Sequence, residues 1–189
     1  MSSQYTAIAT FAEEGAPPIE GIEAESPAGG AFLVSDIMTP LAYSCGVDDT
    51  LAVAARLMWD HDCGAIPVLD RRGHVVGMIT DRDICMAAYI QGRPLSQIAV
   101  ASAASKDVHC IRPEAPIGDA HHLMKMHRVR RLPVVDIGGN LVGMLSLADV
   151  VRHSDRSLGP RHPLHVDNVL ATLAEAFRTG ASRREDDRK

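Results

Sequence analysis

No stretch of the 189-residue chain holds the roughly 18 to 20 consecutive apolar residues that a membrane-crossing helix needs. Residues 1–12 lack both the basic start and the long apolar middle of a secretory signal, so a cytoplasmic location is expected. The four cysteines, Cys45, Cys63, Cys85 and Cys110, include no CxxC pair, and their wide separation fits free thiols in a reducing compartment rather than a disulfide framework. Catalytic signatures are missing as well: there is no GxSxG, GxGxxG, GxxxxGK or HExxH, and no enzyme is expected. No two histidines stand at i and i+4, and the adjacent His121 and His122 diverge on a helix, which disfavours a metal site. Nor is there a basic field. Residues 35–151 carry 11 basic and 13 acidic groups, too balanced for a nucleic-acid-binding face.

What charge asymmetry exists lies at the ends. Residues 1–34 hold Glu13, Glu14, Glu20, Glu23 and Glu25 with no Lys or Arg, and residues 12–31 are rich in Gly, Ala, Pro, Ser and Glu, so disorder is expected for 1–34. The final run, residues 183–189, is mixed in sign and reads as a solvated end. At 46% hydrophobic and 23% charged residues, the remainder has the composition of a globular protein of one or two small domains.

The strongest internal signal is a duplication. Sliding the chain by 66 residues lays 49–84 over 115–150 without a gap, and 12 of the 36 pairs are identical, among them Met58/Met124, Pro67/Pro133, Asp70/Asp136, Gly73/Gly139, Gly77/Gly143 and Asp83/Asp149. Further upstream, Ser35-Asp36-Ile37 matches Ser96-Gln97-Ile98 at an offset of 61, which puts about five extra residues around 101–106 of the second repeat.

Each repeat reads alike. Asp48 or Asp49 is an N-cap ahead of a helix whose Leu51, Ala54, Ala55 and Met58 share one face, and Ile117, Ala120 and Met124 repeat the stripe. Two β-rich runs follow, 65–69 and 74–79, joined by the turn Asp70-Arg71-Arg72-Gly73; Asp136-Ile137-Gly138-Gly139 is its counterpart. Thr80 or Asp81 can then cap a second helix that Gly92 and Pro94 end. A short strand such as 41–44 precedes each unit, giving an α+β (α/β) fold of tandem β-α-β-β-α repeats. A unit of about 60 residues buries a marginal fraction of its surface alone, so the repeats should pack together. The expected organisation is a first domain at 35–93, a second at 94–154 and a tail at 155–189. In that tail Val166, Val169, Leu170, Leu173 and Phe177 mark an amphipathic helix at about 166–179, which either docks on its own domain or meets a partner.

The run Asp36-Ile37-Met38-Thr39-Pro40, then Gly64-Ala65-Ile66-Pro67-Val68-Leu69-Asp70, then Gly77-Met78-Ile79-Thr80-Asp81-Arg82-Asp83-Ile84, resembles a cystathionine-β-synthase (CBS) domain. Arg130-Arg131-Leu132-Pro133-Val134-Val135-Asp136 with Gly143-Met144-Leu145-Ser146-Leu147-Ala148-Asp149-Val150 resembles another, and the whole is similar to small stand-alone bacterial CBS-pair proteins. The resemblance implies a CBS pair (Bateman module): two repeats about a pseudo-twofold, with clefts for adenosine-containing ligands such as AMP, ADP, ATP, NAD(H) or S-adenosylmethionine. It further implies a homodimer that regulates another protein, with an adenine nucleotide as ligand and no obligatory cofactor.

By the same resemblance, Asp83 with Thr80 and Asp149 with Ser146 contact ribose and phosphate, while Arg130 and Arg131 sit where relatives hold phosphate. A carboxylate at a helix start can accept from two vicinal hydroxyls, and helix-start amides attract phosphate. The first repeat has Gly64 and Ala65 in place of the arginines, so two unequal sites are expected, the stronger phosphate pocket beside Ser146 and Asp149. The plainer alternative keeps Thr80, Asp81 and Ser146 as ordinary caps and Gly77 and Gly143 as allowances for close strand packing. A ligand-free interaction protein, or a thiol-redox or metal-responsive stress protein on the same fold, is the alternative function.

Overall fold

The hairpin of each repeat forms where its Asp-x-x-Gly turn places it. In a computed structural model, which describes residues 32–154 and 159–177, β3 (Ala65–Leu69) pairs antiparallel with β4 (Val75–Thr80), and β5 (Arg131–Val135) with β6 (Leu141–Ser146). Gly73 and Gly139 adopt φ of 89° and 82°, a region in which any other residue is strained. Asp70 accepts from the Arg72 and His74 amides at 2.8 and 2.9 Å, and Asp136 from those of Gly138 and Asn140 at 2.8 and 2.9 Å. Both hairpins slip register at the same step, Val68/Leu69 and Val134/Val135, so the duplication extends to the irregularity.

Helices α1 (Leu51–Asp60) and α2 (Asp81–Gln91) cover the first sheet, and α3 (Ile117–His127) and α4 (Leu147–Arg152) the second. The apolar stripe predicted for each first helix is the face that is buried. Leu51, Ala54 and Met58 pack with Ile66, Val68, Ile79 and Ile84; Ile117, Ala120 and Met124 pack with Leu132, Val134, Leu145 and Val150. No helix among the described residues is long and apolar enough to cross a membrane.

The front segments are exchanged. β1 (Thr39–Pro40) joins the other repeat's sheet, where Thr39 pairs with Met144 and Pro40 with Gly143, giving the order β1-β6-β5. Reciprocally, Ser105 bridges Met78 on the edge of the sheet β2-β3-β4, in which β2 (Cys45–Gly46) runs parallel to β3. The buried side chains follow: Val34 and Ile37 enter the second core, Ile98 and Val100 the first. Close approach at the crossings needs glycine. A Cβ on Gly77 would stand 2.7 Å from the Ser105 carbonyl oxygen, and one on Gly143 2.8 Å from that of Thr39.

Several expectations need correction. The short strand is at Cys45–Gly46 rather than 41–44, because Leu41 takes a left-handed φ of 51° that breaks an extended run and 45–46 is what lies beside β3. Thr50, not Asp48 or Asp49, is the N-cap of α1; Asp49 instead accepts the Gly46 amide at 2.7 Å, bracing the turn before it. The extra residues of the second repeat include a single 3-10 turn, Val100–Ser102, with Val100 fully buried. Order begins ahead of residue 35: Ile117 donates to the Phe32 carbonyl at 2.8 Å and Val34 is buried. The disorder expected for 1–31 and the solvated end at 183–189 lie outside the described residues.

The tail helix α5 (Val166–Ala176) docks on its own chain, against α3 and α4, burying Val169, Thr172 and Ala176 in the second core. It ends sooner than residue 179, with Phe177 as C-cap. Thr172 donates its hydroxyl to the Asn168 carbonyl at 3.0 Å and so accepts from His121, whose Nδ1 is 2.8 Å away; the imidazole is buried and its Nε2 has no hydrogen-bond partner.

Three substitutions test this packing. Gly143→Ala should destabilise the protein by about 1 to 3 kcal/mol in urea unfolding, since backbone rather than a flexible side chain blocks the new methyl. Gly118→Ala, in open space within α3, should stabilise it by about 0.5 to 1 kcal/mol. Burial holds the pKa of His121 below its ordinary value, so the unfolded chain takes up the proton first and stability is lost as pH falls below about 6.5. A His121→Phe variant should show a flatter stability profile between about pH 6.5 and 5, measured as thermal midpoints against pH.

Candidate functional site

Each hairpin hands its second strand directly into a helix, and the residue at that junction caps it. Thr80 ends β4 and Ser146 ends β6, each with extended backbone. In the first repeat the Thr80 amide and hydroxyl both donate to Asp83 Oδ2, at 2.9 and 2.7 Å, and the Asp83 amide donates to Thr80 Oγ1 at 3.2 Å. In the second the Ser146 amide donates to Asp149 Oδ2 at 2.8 Å, its hydroxyl donates to the same oxygen, and the Asp149 amide donates to Ser146 Oγ at 3.2 Å. Four of the six residues predicted for ligand contact therefore form two reciprocal capping boxes, with Asp in the place usually held by Glu or Gln. Such a box spends one carboxylate oxygen locally and turns the other, Oδ1, to whatever lies beyond.

Here the repeats diverge. Arg152, one turn on in α4, forms an ion pair with Asp149 Oδ1, and the Asp149 side chain is only 6% exposed. Met86 stands in the corresponding place of α2 and brings no charge, and Asp83 is half-buried. Sequence reasoning passed over Arg152, although an Asp and an Arg at i and i+3 on a helix are legible as a pair.

The two arginines, adjacent in sequence, separate in space. The Arg130 guanidinium carbon lies 5.2 Å from the centre of the Phe177 ring at the end of α5, a cation–π contact. Arg131 reaches the first repeat: a guanidinium nitrogen lies 4.0 Å from where a Cβ on Gly64 would stand, and an Asp81 carboxylate oxygen 3.1 Å from the same point. Backbone pairing nonetheless puts Arg131 opposite Ser146 in the β5–β6 register. Gly64 and Arg130 are matched positions, each accepting from the first helical amide, Asp81 at 3.2 Å and Leu147 at 2.9 Å. The two junctions thus carry Gly64 with Asp81 in one repeat and Arg130 with Leu147 in the other.

Three of the four thiols are poorly placed for chemistry. Burial, with Asp49 adding to it, pushes Cys45 up to about 12, and burial pushes Cys110 up to about 11. Cys63 is also raised, because burial outweighs the attraction of Arg131 for the thiolate. Cys85 is exposed on α2. His121 is buried and His122 exposed, and among the described residues no group of three or more His, Cys, Asp and Glu is arranged to hold a metal ion. In a thiol titration of the native protein with a disulfide reagent at neutral pH, Cys85 should react promptly, while Cys45 and Cys110 should react only on unfolding.

Comparison with known proteins places this geometry. Residues 34–89 and 100–156 each match the CBS domain family. The CBS domain-containing protein YhcV of Bacillus subtilis is 40% identical over 117 residues, 62% of this chain and 81% of that protein. A crystal structure of Hypoxic Response Protein I with two coordinated zinc ions superposes with a TM-score of 0.60 at 31% identity, covering 66% of this chain and all of that one. The structure of CBSX2 in complex with AMP superposes at 0.55 with 26% identity, covering 64% of this chain and 94% of that one.

Proposed function

The chain belongs to the CBS-domain family, with two domains in tandem, and from that premise we propose that it is a regulatory module whose clefts take an adenosine-containing ligand. One observation carries the reading. The same polar box recurs at both strand-to-helix junctions, and in each the aspartate keeps an oxygen outside the box. Two vicinal ribose hydroxyls can donate to such a carboxylate, while the partial positive charge of the helix start favours a phosphate nearby. The complex of CBSX2 with AMP supports the ligand class. AMP, ADP, ATP, NAD(H) and S-adenosylmethionine all present the same ribose edge.

In this reading the two clefts are unequal. Asp83 meets the ligand with Met86, not an arginine, one turn on, whereas Asp149 must first yield its pairing with Arg152. Arg131, lying near Gly64 and Asp81, supplies the positive charge for phosphate at the first cleft, and Arg130 serves the second only when it leaves Phe177. This reverses the order expected from sequence, where the second cleft held the stronger phosphate pocket. The module acts as a homodimer on a regulated protein, and carries out no reaction itself. The raised thiols of Cys45 and Cys110 disfavour the redox alternative.

Isothermal titration with AMP, ATP, NADH and S-adenosylmethionine tests the proposal. Asp83→Ala should weaken the tightest-bound ligand about ten- to a hundredfold, the worth of a charge-assisted bond, and Arg131→Ala should weaken ATP more than S-adenosylmethionine. Arg152→Met, which copies the first repeat, should tighten the weaker site. If none of the four ligands binds the wild type, or Asp83→Ala binds as well as the wild type, the reading fails.

A further inference from the structure

Where α5 docks on the outer face of α3 it leaves a cleft of about 320 Å³, at the small end of the range of about 300 to 1,000 Å³ for small-molecule pockets. His121, His122 and Lys125 of α3 line it, with Asn168 and Thr172 of α5 and Arg161 from the segment just ahead of α5. No lining residue is Asp or Glu. The acids of the two helices stand elsewhere: Asp167 lies 3.6 Å from His165, Glu175 lies 3.4 Å from Arg128, and Asp119 is not among the lining residues. The cleft is therefore lined by basic and neutral side chains only.

The duplication shows that this charge is peculiar to the second repeat. Gly118, His121 and Lys125 stand at i, i+3 and i+7, one row along α3. Sixty-six residues earlier the same row of α1 reads Ala52, Ala55 and Trp59. Arg161 and α5 lie beyond residue 156, where the match to the CBS domain ends, and none of Thr80, Asp83, Ser146 and Asp149 lines the cleft. It is thus a different place from the two adenosine clefts.

We propose that this cleft binds a small phosphate-bearing anion, held by Lys125 and Arg161. Docking of α5 gathers these two cations around one cleft, where an anion offsets their mutual repulsion. An ammonium and a guanidinium carried on different elements can each donate to a different oxygen of one phosphate. Lys125 makes no ion pair among the described residues. The segment that carries Arg161 is held in place: Asn168 donates its side-chain amide to the carbonyls on either side, Pro160 at 3.2 Å and His162 at 2.8 Å. His121 supplies a second mark of a site. It is buried, its Nδ1 is spent on Thr172, and its Nε2 has no hydrogen-bond partner. Buried polar atoms are nearly always paired, and the exceptions call for an explanation such as an ion or a functional role.

The test is a titration of the nitrogen-15-labelled full chain with inorganic phosphate and, separately, with glycerol 3-phosphate, in a phosphate-free buffer, followed by amide NMR spectra. The amides of Gly118 and Ala171, both on the cleft, should shift and saturate. Lys125→Gln and Arg161→Gln should each weaken binding at least about tenfold, the loss of one charge-assisted bond. Lys106→Gln, which does not line the cleft, should bind as the wild type does. Tighter binding of glycerol 3-phosphate makes the ligand a phosphorylated metabolite, and tighter binding of inorganic phosphate makes it free phosphate. Cleft amides that do not shift, shifts that do not saturate, or an affinity unchanged in both Lys125→Gln and Arg161→Gln overturn the site. Neither probe carries adenosine, so this outcome is separate from that of the nucleotide titrations.

Discussion

The arrangement depends on two backbone crossings where there is no room for a side chain. At Gly143 the Thr39 carbonyl, and at Gly77 the Ser105 carbonyl, approach to a distance that a methyl group would occupy. These contacts let each repeat's front segment lie along the other repeat's last strand, and the apolar residues beside the crossings, Val34 and Ile37 on one side and Ile98 and Val100 on the other, complete the partner core. A unit of about 60 residues is marginal by itself. Exchange makes each repeat's core incomplete without the other, which ties two weak units into one structure and fixes how the two strand-to-helix junctions face outward.

Those junctions show how a structural device becomes available for binding. A capping box needs only that the third helical residue reach back to the cap. Glutamate or glutamine usually serves, and aspartate, being shorter, here receives the hydroxyl as well as the amide on one oxygen. The geometry leaves the second oxygen turned outward. In α4 that oxygen meets Arg152; in α2 the position matching Arg152 is Met86, which brings no charge. One substitution one turn along a helix therefore separates two sites that share the same backbone.

The fold was legible because periodicity and turn chemistry are local. The stripe of Leu51, Ala54 and Met58, the Asp-to-Gly turns and the repeat at 66 residues report directly on burial and backbone angles. The pairing of Thr80 with Asp83 and of Ser146 with Asp149 was equally visible, being three residues long. What sequence did not show was long-range. That Arg130 turns to Phe177, 47 positions away in sequence, and Arg131 to Gly64 depends on tertiary placement that no local spacing encodes. The strand exchange was hidden for the same reason: a two-residue strand at Thr39–Pro40 has no periodic signature, and its partner is chosen by space at Gly143.

The tail helix shows how a duplicated fold loses its symmetry. The second repeat has replaced Ala55 and Trp59 with His121 and Lys125, and α4 is six residues long where α2 has eleven. Both changes make sense once α5 occupies that face. Thr172 needs a donor, and His121 provides one from the row where alanine could not, at the cost of a buried Nε2 with no hydrogen-bond partner. Arg128 pairs with Glu175 at 3.4 Å and Arg130 lies against Phe177, so the basic residues that the first repeat lacks are partly engaged by the helix the first repeat also lacks. The substitutions that distinguish the second repeat thus fall into one physical set, the fitting of an internal helix, and the same helix governs how free Arg130 is to meet an anion.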